Sequence, residues 1–427
     1  MRRVVAFRAT TYAAVREDSA RGALDTLLSP PYDVVSGRQR DDLVASNPHN
    51  SVLLDLPLRE ATEQDGAQYQ RTAATWRAWR SDGTLVDDAS SRIYLYEERP
   101  PRGRTIRGIF AGIPVGAYGA ETGILRHEST LTGPKVDRRA LIAAVQANLS
   151  PVILLRAGGY ERFTRAADAV SNSAPCATGH TPSGSEFALW RIDPETQTGA
   201  ELLAWANGAD LVIADGHHRY ETARDYSESG GLTTALGLIV ESDRCAPALY
   251  ATHRIVAAPD PAALLATLSA SPLVTHHTAS TPEQLVARFA DGAPEGAELE
   301  IGAVTHGGAA LLRLDRAGIA AALPGRSTAY RSLSVTALAV LLEQSLGIDA
   351  AAAAAGALRY VRGSEAAVTS ALEDPSPSAA LLLHPERPEQ VVAVAKAGET
   401  MPQKSTLFAP KPPTGLLFLA HDINRLG

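Results

Sequence analysis

The segment Leu211-Val-Ile-Ala-Asp-Gly-His-His-Arg-Tyr-Glu-Thr-Ala223 decides how this chain folds and what it can bind. Its apolar run from Leu211 to Ala214 predicts a buried strand, and the Asp-Gly pair that follows predicts a tight turn. Helix-forming residues come next, so we expect a helix to begin within two residues of His218. A strand, a turn and a helix start place backbone N–H groups where an anion can bind.

The side chains at this turn favour a binding site over a plain connection. Arg219 carries a planar guanidinium that suits a bidentate phosphate contact. The two adjacent histidines can exchange protons or bind a metal. An ordinary turn between core elements needs no more than Asn-Gly. We therefore predict a phosphate-binding loop that comprises Asp215, Gly216, His217, His218, Arg219 and Thr222.

The composition of the chain narrows its class. It has 427 residues, of which 45% are hydrophobic and 20% are charged, as in ordinary globular proteins of two or three domains. The net charge of −7 argues against general nucleic-acid binding. The sequence shows no apolar run of roughly 18 residues and no secretory leader pattern. We expect a cytoplasmic protein without nucleic-acid or membrane partners, and its two cysteines suit a reducing compartment.

Lysine is scarce in this chain, whereas arginine is abundant. A lysine that remains can mark a position where a compact point charge is needed. Three of the four lie in segments that resemble motifs. The four are Lys135, Lys396, Lys404 and Lys411.

The rest of the chain alternates between strand and helix patterns, and Pro259 to Pro261 marks a boundary. We predict a region 1–258 that contains the phosphate loop and a region 259–427 that contributes the segment Met401 to Thr406. The fold class is α+β, with mixed sheets, a strand–loop–helix nucleotide site and a C-terminal α/β portion. Predicted helices include Asp137 to Asn148, Pro261 to Ser269, Pro282 to Phe289, Ser334 to Gln344 and Ile348 to Ala357. Predicted strands include Val4 to Arg8, Ser51 to Leu56, Arg92 to Glu97, Thr105 to Val115, Pro151 to Arg156 and Leu236 to Glu241.

A second polar segment runs from Leu125 to Arg139 and contains Arg-His-Glu-Ser-Thr-Leu-Thr-Gly-Pro-Lys. Glu128 beside a histidine can act as a general base or hold a divalent cation. Lys135 and Arg138 can contact phosphate oxygens. A capped helix that follows a solvated charged loop explains the same pattern, so both interpretations stay open.

Two further segments contribute candidates. Lys404-Ser405-Thr406 resembles the end of a Walker A loop, but no glycine-rich sequence precedes it, so a P-loop is rejected. An anion contact and a surface turn both remain open there. Pro30-Pro31-Tyr32-Asp33 offers one carboxylate near the N-terminus.

These segments together resemble the prokaryotic family called domain of unknown function 1015. The resemblance rests on PPYDV, RHE followed by PKVDR, ADGHHRYETA and MPQKSTxFxPK, which are spread from Tyr32 to Lys411. ADGHHRYETA also resembles, more distantly, the phosphate motif of the ParB/sulfiredoxin superfamily, with its GERRxxA-like or GCHRYxA-like loops. Some ParB-like members are free-serine kinases that use ATP or ADP. The chain departs from ParB itself because it lacks a basic DNA-binding region.

The resemblance and the residues lead to one main hypothesis, a phosphotransferase that acts on a small hydroxyl compound, serine or phosphoserine, with ATP or ADP and Mg²⁺. In this hypothesis the residues of the phosphate-binding loop bind the phosphates of the nucleotide. Arg219 makes a bidentate contact with phosphate oxygens, and His218 donates a hydrogen bond to the transferring phosphoryl group. Either Glu128 or Asp33 is the base, and Glu128 and Asp215 are candidate metal ligands. Additional phosphate contacts come from Lys135, Arg138, Lys404, Ser405 and Thr406.

Two alternatives remain at this point. One is a metal-dependent phosphatase or hydrolase whose ligands are Asp215, His217, His218, His127 and Glu128. The other is a non-catalytic nucleotide-binding regulator. A homodimer stays an open option. The main hypothesis further predicts that the RHE, DGHHR and KST segments meet in one cleft, although more than 80 residues separate each from the next.

Overall fold

The computed structural model describes residues 3–17, 20–128, 132–230, 232–290 and 298–424. The chain forms two compact units. The first consists of Met1–Arg126, Thr130–Ala248 and Pro410–Gly427, and the second of His127–Ser129 and Leu249–Ala409. The domain boundary expected at residues 258 and 259 stays a prediction. Within the predicted RHE segment, residues 129–131 lie outside the described residues.

A nine-stranded mixed sheet forms the centre of the first unit. Three neighbouring pairs of strands run parallel and five run antiparallel, which confirms the expected α+β class with mixed sheets. In spatial order the strands are Ala20–Arg21, Ala177–His180, Glu186–Ile192, Ile93–Arg99, Ile106–Pro114, Thr234–Glu241, Val152–Arg156, Leu211–Asp215 and Ile124–Leu125.

The strand Leu211–Asp215 and the helix His217–Gly230 confirm the interpretation of the opening segment. The first four residues of the strand are buried, because Val152–Arg156 and Ile124–Leu125 pair with its two edges. Gly216 makes the turn with φ +93°, a left-handed conformation that side chains other than glycine rarely adopt. The chain therefore leaves the sheet at Asp215 and enters the helix within two residues.

Seven α-helices and two short 3₁₀ helices, Ala13–Glu17 and Tyr32–Val34, accompany this sheet in the described part of the first unit. The helix Thr132–Val145 begins earlier than predicted, but it buries Leu141, Ile142 and Val145 on one face as expected. The other helices are Gly37–Ser46, Val52–Asp55, Ala67–Ser81, Tyr160–Ser171, Gln197–Ala206 and His217–Gly230. Short strand pairs join Thr10–Tyr12 to Leu85–Asp87 and Ala147–Asn148 to Leu419–Ala420.

The second unit contains a six-stranded sheet in which every neighbouring pair is antiparallel. One face is covered by an apolar cluster that includes Leu285, Phe289 and Val368. In spatial order the strands are Val274–Ser280, Gly308–Leu314, Glu300–Thr305, Ser378–Leu382, Thr252–Ala257 and Leu358–Arg362. The helices are Pro261–Ser269, Pro282–Ala290, Arg316–Ala322, Thr328–Arg331, Ser334–Leu346, Ala350–Ala352, Ser364–Leu372 and Pro388–Lys396. Two further short strands are Ala248–Tyr250 and Leu407–Ala409.

Three predicted elements differ from the structure in type, in length or in pairing. The strand predicted for Ser51 to Leu56 is the short helix Val52–Asp55, because the side-chain oxygen of Asn50 accepts the Val52 N–H at 2.9 Å and starts a helical turn. The helix predicted for Ile348 to Ala357 is interrupted at Gly356, where φ is +100°. The strand predicted for Val4 to Arg8 makes only isolated bridges.

The length and apolar character of the described helices decide whether any of them could cross a membrane. None of them is long and apolar enough to cross it alone. One pair bent by 103°, Ser334–Leu346 with Ala350–Ala357, reaches that length and composition together.

Candidate functional site

A series of alternating charges runs through the first unit from Asp33 to Arg219. The Lys411 ammonium contacts the Asp33 carboxylate and lies 2.7 Å from Oδ1 of Asp215. The other Asp215 oxygen accepts a hydrogen bond from Arg219, which also donates to the carbonyl of Pro151. The Asp33 side chain is 36% exposed, whereas that of Lys411 is only 9% exposed. The series thus begins at solvent and ends at a buried guanidinium.

The turn at Gly216 positions the buried end of this series. A Cβ atom at this position would lie 3.0 Å from Nε of Arg219, so the guanidinium rests directly against the glycine. The Gly216 carbonyl accepts the first helical hydrogen bond, from the N–H of Tyr220 at 2.9 Å. His217 is buried and His218 is half-buried in the first helical turn. Asp215 therefore lies two residues before the positive, N-terminal end of the helix dipole.

A backbone bridge between distant parts of the chain brings Asp33 and Lys411 together. Ser29 and Thr414 exchange two backbone hydrogen bonds, of 3.1 and 2.8 Å, in an antiparallel bridge. Asp33 follows Ser29 by four residues, and Lys411 precedes Thr414 by three. Because the two segments run in opposite directions, both residues lie on the same side of the bridge. The hydroxyl of Ser51 donates a hydrogen bond to the Thr414 carbonyl at 2.9 Å and so adds a third contact to the bridge.

Arg138 fixes the loop that carries Asp33. Its guanidinium lies 3.9 Å from the ring centroid of Tyr32 and donates to the carbonyl of Asp55 at 2.6 Å. It also pairs with Asp137 at 2.7 Å. Burial raises the pKa of Tyr32, although the positive charges of Arg219 and Arg138 act against the rise. Arg138 therefore supports the Tyr32-Asp33 turn in addition to any contact it makes with a ligand.

Nearby carboxylates keep the guanidinium of Arg219 protonated. Burial acts to lower the pKa of the guanidinium, but the nearby carboxylates of Asp215 and Asp33 outweigh burial and raise it above its ordinary value. The side chain is consequently a permanent cation inside the protein.

Lys135 belongs to a separate cluster around a buried carboxylate in the first unit. Its ammonium contacts Glu221, whose side chain is 3% exposed and lies 3.6 Å from Arg126. The hydroxyl of Tyr118 lies 3.3 Å from the same carboxylate. The Tyr118 ring has two guanidinium groups over it, from Arg126 at 5.3 Å and Arg224 at 5.6 Å. Two cations, Lys135 and Arg126, thus lie at the carboxylate of Glu221, which sequence reasoning had not selected.

The second unit brings Glu128 and the KST segment together. The Glu128 carboxylate accepts the backbone N–H of Lys404 at 3.1 Å. The carbonyl of His127 accepts the Met401 N–H at 2.7 Å, and the ring of His127 lies 2.8 Å from the hydroxyl of Thr406. Lys404 has φ +55°, a left-handed conformation that is uncommon for lysine. The segment 401–406 is therefore a tight turn held against His127 and Glu128.

A buried arginine lies close to this turn in the second unit. Arg254 is 4% exposed, and its guanidinium donates to the carbonyls of Thr252 and of Gln403, the latter at 3.4 Å. Burial lowers its pKa to about 10, against the opposing charges of Tyr360, Glu386 and Glu128. Ser405 continues the turn through a hydrogen bond from its hydroxyl to the Pro402 carbonyl.

A comparison with known protein families identifies the family of this chain. The family model described as protein of unknown function (DUF1015) matches residues 4–336, which is most of the chain. The chain belongs to the DUF1015 family. This confirms the resemblance predicted from its motifs. No curated protein sequence matches the chain.

Several solved structures resemble this DUF1015 chain. SbnI with a C-terminal truncation, from Staphylococcus aureus, shares 13% identity and a TM-score of 0.38, over 73% of this chain and 88% of SbnI. A conserved hypothetical protein from Pyrococcus furiosus shares 12% identity and a TM-score of 0.35, over 76% and 99%. A free serine kinase in complex with AMP shares 10% identity and a TM-score of 0.37, over 76% and 96%.

A metal-dependent hydrolase would need several His, Cys, Asp or Glu side chains close enough together to bind one metal ion. Among the described residues, no group of three or more His, Cys, Asp or Glu side chains is arranged to hold a metal ion. The five ligands proposed from the sequence for such an enzyme therefore do not form that group within the described part of the chain.

The predicted site residues fall into separate groups. Asp33, Asp215 and Arg219 meet in the first unit, and the structure adds Lys411, which sequence reasoning left out of the site. Glu128 and the KST turn meet in the second unit. The scarcity of lysine was the signal that could have selected Lys411. That all three segments share one cleft stays a prediction.

Proposed function

We propose that this DUF1015 protein is a phosphotransferase that moves a phosphoryl group from a nucleotide to a small hydroxyl compound, for which free serine is our first choice. One observation carries the proposal: the series Asp33, Lys411, Asp215 and Arg219 ends at the start of a helix. Phosphoryl transfer needs positioned phosphates, neutralised charge and an oriented nucleophile, and it needs little covalent chemistry from the protein. The series offers groups for each of these tasks.

The phosphates are assigned to the turn and the first helical turn after it. Gly216 permits close approach of a ligand to the backbone, and the helix start favours negative charge. Arg219 and Lys411 supply two cations whose positions are already fixed by Asp215. Cations that need no reorganisation during the reaction stabilise developing charge most effectively. His218 remains our candidate donor to a phosphate oxygen.

Asp33 is the carboxylate that we assign as base for the substrate hydroxyl. It is the exposed end of the series, and the Lys411 ammonium holds its orientation. Glu128 is assigned instead to the turn of the second unit, because its carboxylate accepts the Lys404 N–H. The sequence alone could not separate these two carboxylates.

Mg²⁺ is compatible with the same residues. Mg²⁺ is commonly held by one or two carboxylates together with substrate phosphates, and Asp215 lies at the start of the helix assigned to the phosphates. When bound, the ion would neutralise phosphate charge. The donor proposed for it is the carboxylate of Asp215.

The choice of serine rests on the motif ADGHHRYETA and on its likeness to the loops of ParB-like free-serine kinases. Nucleotide binding is tested first, by calorimetry with ATP and with ADP, with and without Mg²⁺. Transfer is then tested by mass spectrometry for phosphoserine. Asp33→Asn should retain nucleotide affinity and lower turnover by about 10²–10⁴-fold, the usual contribution of a general base. Arg219→Ala should instead weaken nucleotide binding by about 1.5–3 kcal/mol.

The outcomes separate the proposal from its rivals. Nucleotide binding without transfer to any hydroxyl compound would identify a regulator. Release of phosphate from phosphoserine in the absence of nucleotide would identify a hydrolase. If Arg219→Ala binds nucleotide as well as the parent protein, the assignment of the helix start to phosphate is wrong.

A further inference from the structure

A short glycine-rich turn joins the strand Val152–Arg156 of the first unit to the helix Tyr160–Ser171. Gly158 and Gly159 both have a left-handed backbone, with φ of +72° and +73°, and Gly159 is exposed to solvent. The neighbouring strand Thr234–Glu241 runs parallel to the first strand and ends level with it. The turn therefore lies at the carboxyl ends of two adjacent parallel strands, which is where open α/β sheets bind their ligands.

The helix that follows this turn begins with unoccupied N–H groups. Gly159 is its N-cap residue and has no side chain to accept an N–H from the first turn. The Phe163 N–H makes the first helical hydrogen bond, to the Gly159 carbonyl at 3.0 Å, so the N–H groups of residues 160–162 lie ahead of it. Together with the helix dipole, such groups attract an anion. Two side chains beside the turn distinguish it from an ordinary helix start.

The first of these side chains is Trp205, which is 1% exposed. Its indole nitrogen Nε1 makes no hydrogen bond to any described residue. A Cβ atom on Gly159 would lie 3.3 Å from this nitrogen, so the edge of the indole ring lies directly against the glycine turn. Buried indole N–H groups usually have a hydrogen-bond partner. Trp205 therefore presents an unsatisfied donor at the position where the helix start attracts an anion.

The second side chain is Arg156, a half-buried guanidinium that forms no ion pair with any described carboxylate. It donates through Nε and Nη1 to three backbone carbonyls, among them that of Trp205 at 3.1 Å, and its Nη2 makes no hydrogen bond within the described part of the chain. Burial lowers its pKa, the positive charge of Arg162 lowers it further, and the carboxylate of Glu241 opposes this only in part. An anion beside Arg156 would supply the missing negative charge.

Two further arginines flank the turn. Arg162 is exposed in the first helical turn, and the guanidinium of Arg244 lies 4.6 Å from the ring centroid of Tyr160. Of the nearby carboxylates, Glu241 is buried and accepts two backbone N–H groups of its own turn, at 3.1 and 2.9 Å. Glu161 is exposed in the first helical turn, where its charge competes with a bound anion for the helix start.

We propose that the turn at Gly158 and Gly159 is a second anion site, which binds a phosphate group as inorganic phosphate or as a small phosphomonoester. Its donors come from different elements, the helix start and the Arg156 guanidinium, which suits tetrahedral phosphate oxygens better than a planar carboxylate. The site is separate from the phosphate-binding loop. Leu211 begins the strand that leads to that loop, and it pairs with Arg156, so the two turns lie at opposite ends of this strand. The second site does not depend on the proposed function.

The indole N–H signal of Trp205 reports on this site directly. The full chain is labelled with ¹⁵N-tryptophan and titrated at constant ionic strength with inorganic phosphate or with glycerol phosphate, and Trp205→Phe assigns the signal. We expect the Trp205 N–H signal to shift with saturation, whereas those of Trp76 and Trp79, which belong to the helix Ala67–Ser81, stay in place. Tighter binding of glycerol phosphate would assign the site to a phosphomonoester, and tighter binding of phosphate would assign it to the inorganic ion.

Three variants test the assigned groups. Arg156→Gln removes the charge and keeps an amide that can donate, and it should weaken phosphate binding about 10-fold or more, the value of one hydrogen bond to a charged group. Glu161→Gln removes the competing carboxylate and should strengthen binding about 2-fold to 5-fold, a gain that damage to the fold cannot produce. Arg165→Gln removes an exposed cation further along the same helix and, as the matched control, should bind phosphate like the parent.

The proposal is overturned if the Trp205 signal moves with neither phosphate compound, or if chloride or acetate moves it equally. It is also overturned if Arg156→Gln and Arg165→Gln bind phosphate alike. Arg219→Ala separates the two sites, because it should leave the response of Trp205 to phosphate unchanged. Loss of that response in Arg219→Ala would place the phosphate in the phosphate-binding loop and refute the second site, whereas failure of nucleotide binding alone would refute only the proposed function.

Discussion

Replacing Lys411 with alanine should destabilise the first unit by about 2–3 kcal/mol. Its ammonium contacts Asp33 and lies 2.7 Å from Asp215, and the side chain is 9% exposed. Removing one partner of a fully buried ion pair costs about 3–5 kcal/mol, whereas exposed pairs contribute about 0–1 kcal/mol. The expected value lies between these limits, because Asp215 retains Arg219 while Asp33 is open to water.

The same substitution leaves two carboxylates facing each other without the cation between them. Their mutual repulsion adds to the loss of stability. Urea unfolding followed by tryptophan fluorescence measures it, since all four tryptophans belong to the first unit. Arg38→Ala, which removes an exposed cation from that unit, should change stability by less than about 0.5 kcal/mol. A Lys411→Ala protein that is as stable as this control would refute the series of ion pairs.

Three further substitutions test other parts of the structure. Gly216→Ala should cost about 1–2 kcal/mol and weaken nucleotide binding, because it strains a φ of +93° and crowds Arg219; urea unfolding and calorimetry measure both effects. Lys404→Gly should stabilise the second unit by about 0.5–1 kcal/mol, since glycine accepts a φ of +55°; unchanged or lower stability would mean that the turn is not left-handed in solution. Burial raises the pKa of Glu386 from 4.5 to about 7. The folded protein therefore holds this proton more tightly than the unfolded chain does, and the resulting stabilisation is fully present below pH 4.5. About 3 kcal/mol of it is lost as the pH rises from 4.5 to 7. Glu386→Gln should abolish that loss in hydrogen exchange of the helix Ser334–Leu346, whose Val335 N–H donates to Glu386.

The strand and helix around Gly216 could be predicted because their causes are local. An apolar run of four residues, a turn dipeptide and helix formers act within about a dozen residues of one another. The same is true of the hairpin formed by Ile93–Arg99 and Ile106–Pro114, which confirms the strand pair expected there. In both cases neighbouring residues carry the whole signal.

The contact between Asp33 and Lys411 could not be predicted from spacing. The two residues are 378 positions apart, and the bridge between Ser29 and Thr414 that aligns them is a backbone contact without a side-chain pattern. The surroundings of Glu221 were equally hidden. Its position in the helix could be predicted, but the two cations at its carboxylate, Arg126 and Lys135, come from other parts of the chain.

The return of the chain to the first unit has a consequence for its synthesis on the ribosome. Thr414 bridges to Ser29, Phe418 to Thr10, and Leu419–Ala420 to Ala147–Asn148, so late residues complete structure begun by early ones. A nascent chain released or stalled before Lys411 would leave Asp33 and Asp215 without their shared ammonium group and those edges unpaired. These pairings of the first unit therefore stay incomplete until some 160 intervening residues of the second unit have been translated. Chaperones and proteases would encounter the unpaired edges during that interval, and a truncation before Lys411 would leave them unpaired permanently.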